Sequence, residues 1–159
     1  MKRLLILCAG LTSLVALSAV RADTPDGAAT TGVNHVFITN EQHSSFTVKD
    51  YGPDSVDRGN VSYQNFTTGE SYNADVACVY VFNGNQARFA FQVPAGPNSG
   101  LWRVYAVKDG GEPGTNGDEL GLVYTGNQTA ACSEVNNPTT FPIAPSETIT
   151  AGNVQVRDY

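Results

Sequence analysis

Hard oxygen donors crowd one short stretch of the chain. Asp109, Glu112, Asp118 and Glu119, with Asn116 among them, fall inside the polar run from Lys108 to Glu119. Carboxylates and amides are what a calcium ion takes, so the stretch has the composition of a calcium site. It lacks the spacing of an EF-hand loop. Gly111 and Pro113 stand where side-chain ligands are needed, and Leu120 replaces the closing bidentate acid. The repeated nonapeptide of calcium-binding β-rolls is also missing. Gly110, Gly111, Pro113 and Gly114 are instead what a tight turn requires. The reading is an acidic turn with those four acids as weak calcium candidates, and no metal or cofactor is assigned.

The other reactive side chains are sparse. His35 and His43 are the two histidines, at a spacing that fits no metal motif, and the polar stretch around them reads as a loop with solvated rings. There is no Gly-x-Ser-x-Gly elbow and no glycine-rich phosphate loop opening a helix. Asn98-Ser99-Gly100 holds a hydroxyl in a turn without an evident base, and Asp54 and Asp57 are close in number only. No catalytic residue is assigned. One enzymatic alternative stays open, a barrel-mouth site using His35 or His43 as base, which requires that histidine in a pocket beside a carboxylate. Aromatic residues are plentiful: Phe37, Tyr63, Tyr80, Phe82, Phe89, Phe91, Trp102, Tyr105 and Tyr124. Exposed in a row they would stack on sugars, but most alternate with polar residues and read as core.

The first residues and the charge bound the setting. Lys2 and Arg3 precede the uncharged apolar run Leu4–Val20, and Val20-Arg21-Ala22 is a plausible cleavage site, so residues 1–22 read as a secretory signal. Cys8 lies too early, and after Leu7, for a lipoprotein. A secreted, periplasmic or cell-envelope location is expected. The formal net charge is −6, and loss of Lys2, Arg3 and Arg21 leaves −9. An acidic surface poor in Lys and Arg argues against nucleic acid and anionic membranes, and no later stretch is long and apolar enough for a spanning helix. Cys78 and Cys132 are the two cysteines left after cleavage, which predicts a disulfide between them.

Short β-branched and aromatic runs, broken every few residues by Gly, Pro, Asn and Thr, predict an all-β domain without helices. Residues 23–32 read as a flexible leader and 33–159 as one domain. Strands are expected at Asn34–Thr39, Ser45–Lys49 and Gly59–Asn65, as a hairpin from Tyr72 to Val93, and at Thr148–Arg157. Asn83-Gly84 is a strong hairpin turn signal. Val76, Cys78, Tyr80 and Phe82 are expected on one strand face. Phe89, Phe91 and Val93 are expected inside, with Arg88, Ala90 and Gln92 outside. Trp102 to Tyr124 reads as a long hairpin whose tip is the acidic turn, and Thr125–Pro145 as an irregular loop. Gly152-Asn-Val-Gln-Val156 echoes Gly59-Asn-Val-Ser-Tyr63, which suggests matching strands at the two ends of the domain. A small antiparallel barrel closed by its first and last strands removes exposed edges, and a two-sheet sandwich is the alternative.

Several stretches in order resemble a family of small secreted bacterial all-β domains of unknown function. They are Gly59-Asn-Val-Ser-Tyr-Gln-Asn65, Asp75-Val-Ala-Cys78 running into Asn83-Gly-Asn-Gln-Ala87, Tyr105-Ala-Val-Lys-Asp-Gly-Gly-Glu-Pro-Gly114 and Gly152-Asn-Val-Gln-Val156. The resemblance spans roughly Ser45 to the C-terminus. It implies a fold and a location but no activity. That family often closes on a histidine, where this chain has Arg157-Asp158.

The expected function is a non-catalytic interaction or structural module with an extracellular protein or small-molecule partner. The alternative is a small-ligand-binding barrel, which requires an interior cavity lined by Val76, Tyr80, Phe89 or Trp102 and is ruled out by a filled interior.

Overall fold

The computed structural model describes residues 24–37, 40–53, 56–111, 117–137 and 146–159. Residues 1–22, read as a signal, lie outside them. The described residues form eight strands: β1 (Gly27–Phe37), β2 (Asn40–Asp50), β3 (Arg58–Asn65), β4 (Ser71–Phe82), β5 (Gln86–Gln92), β6 (Trp102–Lys108), β7 (Glu119–Thr125) and β8 (Ser146–Asp158). One helix, α1 (Gln128–Val135), precedes β8. Each strand pairs antiparallel with the next, and β8 returns to β1, so the sheet closes as an up-and-down barrel. Closure by the first and last strands is as expected, but the strand echoed by β8 is the third, which pairs with β2 and β4. The segment read as a flexible leader already belongs to β1 from Gly27, paired on both sides.

Alternation along the strands explains which side chains fill the barrel. On β2, Gln42, Ser44, Phe46, Val48 and Asp50 are buried, while Glu41, Thr47 and Lys49 face solvent. The core gathers Ala29, Val33, Phe46, Val48, Val61, Phe89, Val107, Leu120 and Val154, each at most 2 % exposed. β5 and β6 are buried on both faces, as their continuous apolar runs require. The outer cover is α1. Its Ala131 and Val135, one turn apart, pack on Ala90, Val104 and Ala106, with Tyr80 and Trp102 at the edges. Arg88, expected outside, is buried under the C-terminus of α1 and donates to the Glu134 carbonyl at 3.0 Å, a favourable place for a cation.

The helix corrects the expectation of an irregular Thr125–Pro145 loop. Asn127 caps it by accepting from the Ala130 amide at 2.9 Å. Eight residues do not hold a helix in water unaided, so packing and the Cys78–Cys132 disulfide, with Cα atoms 5.8 Å apart, must hold this one. A bulge makes the bond reachable. The β4 register slips between Val76 and Cys78, so Val76, Val79 and Val81 face the core while Cys78 and Tyr80 turn out to α1. The four residues expected on one face therefore split between two.

Two seams of the barrel lack a full ladder, and aspartates complete both. β3 pairs with β4 only as far as Asp75, and among the described residues β7 meets β8 at two residue pairs, Leu120–Glu147 and Gly121–Ser146. Beyond the first seam, the Val79 and Val81 amides donate to Asp57 Oδ2 at 2.7 Å and Asp50 Oδ2 at 2.9 Å. Beyond the second, the Val154 and Val156 amides donate to Asp118 Oδ2 at 2.7 Å and Asp109 Oδ2 at 3.0 Å. The remaining oxygens serve the turns in the same pattern. Asp50 accepts from Gly52 and Asp57 from Tyr51, while Asp109 accepts from Gly111 and Asp118 from Gly110. Gly52 and Gly111 both have positive φ, 76° and 88°, which each turn needs two residues after its first aspartate. The β2–β3 and β6–β7 turns are thus one device used twice, at the same end of the barrel.

Two outcomes are expected. Replacing both cysteines with alanine removes a constraint between positions 54 apart and lowers unfolding free energy by up to about 4 kcal/mol in denaturant titrations. A loss near zero would mean that Ala131 and Val135 alone hold α1. The second concerns Asp57, whose pKa is raised above 3.8, chiefly by desolvation on burial, against the lowering by the Val79 and Tyr51 amides. The folded state therefore keeps this proton to higher pH than the unfolded chain, so this group favours folding more as pH falls towards and through 3.8. The melting-temperature gap between wild type and Asp57→Asn should widen in favour of wild type between neutral and acid pH. A gap that narrows on acidification would refute it.

Candidate functional site

Of the acids singled out in the sequence as calcium candidates, Asp109, Asp118 and Glu119 are described, and they form no metal-holding group. Asp109 and Asp118 are spent on backbone amides, as above. Glu119 pairs with Lys108 across β6 and β7 at 2.6 Å. Glu112 and Asn116 lie outside the described residues. No group of metal-ligating side chains forms among the described residues. The two histidines lie on strands, not on a loop, and face opposite ways. His43 is on the outer face of β2, with Nδ1 2.8 Å from Asn34 Oδ1, and His35 points into the barrel at 1 % exposure.

His35 belongs to a buried polar cluster at the end of the barrel opposite the aspartate turns. Its Nδ1 meets Glu147 Oε2, and its Nε2 lies 2.9 Å from Ser44 Oγ. Ser44 Oγ is in turn 2.8 Å from Tyr105 Oη. All three contacts are satisfied when Tyr105 donates to Ser44, Ser44 to His35, and His35 through Nδ1–H to Glu147. The order Ser44–His35–Glu147 is that of a nucleophile, base and acid. Ser44 is fully buried, however, and its oxygen is held on both sides, so no substrate carbonyl reaches it. What the chain does is fix the Glu147 carboxylate.

Glu147 stands beside Arg103, the centre of the cluster. Arg103 is 2 % exposed and its Nη2 lies 3.8 Å from Glu147 Oε1, beyond hydrogen-bond length. Its one hydrogen bond within the described residues goes from Nη1 to Tyr72 Oη at 3.2 Å, and among them its Nε and Glu147 Oε1 find no hydrogen-bond partner. The rings of Tyr63, Tyr105 and Tyr124 surround the guanidinium at 4.7, 4.9 and 5.4 Å, which stabilises its charge without saturating its donors. Tyr72, Tyr105 and Tyr124 stay neutral: desolvation pushes Tyr72 up to about 12 despite Arg103, and raises Tyr105 and Tyr124 as well.

Arg103 forms the floor of a cavity of about 240 Å³ that opens at this end. Gln42 and Tyr63 line it from β2 and β3, Glu70 from the β3–β4 turn, Asn98 from the β5–β6 loop, and Leu122 and Tyr124 from β7. Glu70 packs on Gly96, where φ is 87° and a Cβ would strike the carboxylate. The four residues expected to line an interior cavity do not: Val76 and Phe89 are packed in the core, and Tyr80 and Trp102 lie beside α1 outside the barrel, Tyr80 on a separate surface pocket.

Sequence reasoning missed Arg103, Glu147 and Ser44. Arg103 left a trace, because alternation in Trp102–Val107 puts it on the face of Tyr105 and Val107, where a lone charge is out of place. Glu147 left none, since its partner His35 is 112 positions away. The chain matches no protein-family description, no curated protein and no solved structure.

Glu147→Gln keeps an acceptor for His35 but removes the carboxylate beside Arg103. It should destabilise the fold by about 3 kcal/mol, as loss of one member of a buried pair does. The double variant with Arg103→Met should recover part of that in a double-mutant cycle. Additive losses in denaturant titrations would show that the two groups are not coupled.

Proposed function

We propose that this chain is a secreted, non-catalytic β-barrel that binds a small polar ligand at the mouth floored by Arg103. One observation carries the reading: a buried guanidinium with a single hydrogen bond among the described residues sits at the base of an open cavity. Buried polar groups are normally satisfied, so the guanidinium Nη2, which makes no hydrogen bond with the described residues, calls for an oxygen atom from outside the chain. Small closed barrels suit the role, because rigid strands hold such a mouth in shape. The signal-like residues 1–22 and a disulfide are consistent with export to an oxidising compartment. The order of motifs shared with small secreted bacterial domains points the same way.

A thermal-shift screen of small polar compounds tests the proposal, since a ligand of the native state raises the melting midpoint. Compounds that raise it should lose the effect in Tyr124→Ala and Asn98→Ala, both at the solvent-facing rim. A screen in which nothing raises the midpoint, or in which both variants respond as wild type does, would remove the reading.

A further inference from the structure

From the charges and donors at the same mouth, we infer that its ligand is a neutral, hydroxyl-rich molecule of about one sugar ring. This rests on the reading of the mouth as a ligand site and specifies its chemistry. Arg103 already has the Glu147 carboxylate 3.8 Å away, and Glu70 brings a second carboxylate to the cavity wall. A ligand anion would place a third negative charge around one cation, which repulsion disfavours.

The wall offers donors and acceptors in mixture. Gln42 spends its carbonyl oxygen on the Tyr63 hydroxyl at 3.0 Å, which leaves its amide nitrogen to donate. Asn98 spends its nitrogen on the Tyr124 hydroxyl at 3.3 Å, which leaves its carbonyl oxygen to accept. The Glu70 carboxylate takes no hydrogen bond from the described residues and accepts only, while Arg103 donates only. A hydroxyl both donates and accepts, so adjacent hydroxyls on one ring can satisfy all four groups. Carboxylates would waste the acceptors, and ammonium groups the donors. Tyr124, 37 % exposed, adds an aromatic surface at the rim for the C–H face of such a ring. The cavity, about 240 Å³, is below the usual range for drug-sized ligands, which fits a single ring.

The test is a nuclear magnetic resonance titration of the folded chain with glucose, galactose, mannose and N-acetylglucosamine. Their methyl glycosides, acetate and alanine are titrated in parallel. At least one sugar should shift the Gln42 and Asn98 side-chain amide signals saturably in the millimolar range. Binding of its methyl glycoside as well would identify the end of a glycan, and its loss a free sugar; either supports the inference. Tyr124→Ala should weaken the sugar by about tenfold. Glu70→Gln, which keeps an acceptor, should change sugar affinity by only a few fold. Saturable binding of acetate or alanine with the sugars silent would overturn the sugar assignment and leave the mouth as a ligand site. Silence from every probe would overturn the assignment, and together with a blank thermal-shift screen would overturn the site too.

Discussion

A strand that parts from its neighbour carries unpaired N–H groups, and in this barrel four of them end on aspartate oxygens. The amides of Val79, Val81, Val154 and Val156 belong to buried residues whose sheet partners on one side have run out. Leaving such amides unpaired costs about 1–3 kcal/mol each. A carboxylate suits the gap because it has two oxygens and no donor, so one side chain ties a turn amide to a strand amide. Both turns use an aspartate pair and a glycine in the same geometry, which makes the two halves of the sheet close alike. The acidity of these turns is therefore a property of the fold. Its cost shows at Asp57, where burial opposes the charge that the hydrogen bonds need.

The opposite end obeys another constraint. Phe46, Val48, Phe89 and Val107 fill the middle of the barrel, but towards the mouth the inward positions pass to His35, Ser44, Tyr63, Tyr72 and Arg103. Placing a cation there is costly unless it is compensated, and the described residues compensate it only in part: one carboxylate beyond hydrogen-bond length, one hydroxyl, and three aromatic faces. A fold of this kind carries no function by itself, so the case for ligand binding comes from that incomplete compensation beside an open cavity.

Helix α1 links the two themes. By covering Ala90, Val104 and Ala106 it lets β5 and β6 be apolar on both faces, and the disulfide fastens it to the bulged strand. The small side chains under the helix leave the space it occupies. Arg88 then meets the carbonyls at the helix end, so a charge that looked solvent-facing is enclosed.

Much of this was legible one residue at a time. Alternating apolar residues marked the strands, Asn83-Gly84 marked a hairpin whose two turn residues do take positive φ, and Cys78 and Cys132 pair as the sequence predicted. Those features depend on side-chain chemistry and near neighbours, so the order of residues determines them. The sequence left barrel and sandwich open, because both bury the same alternate positions. It gave no sign of α1, whose buried residues are only two and whose stability comes from the sheet beneath it. It could not show that Asp109 and Asp118 would be taken by amides 47 and 36 positions away, or that His35 would find Glu147. Tertiary structure decided these because a hydrogen bond is read in ångströms, and only closure of the barrel brings the partners within reach.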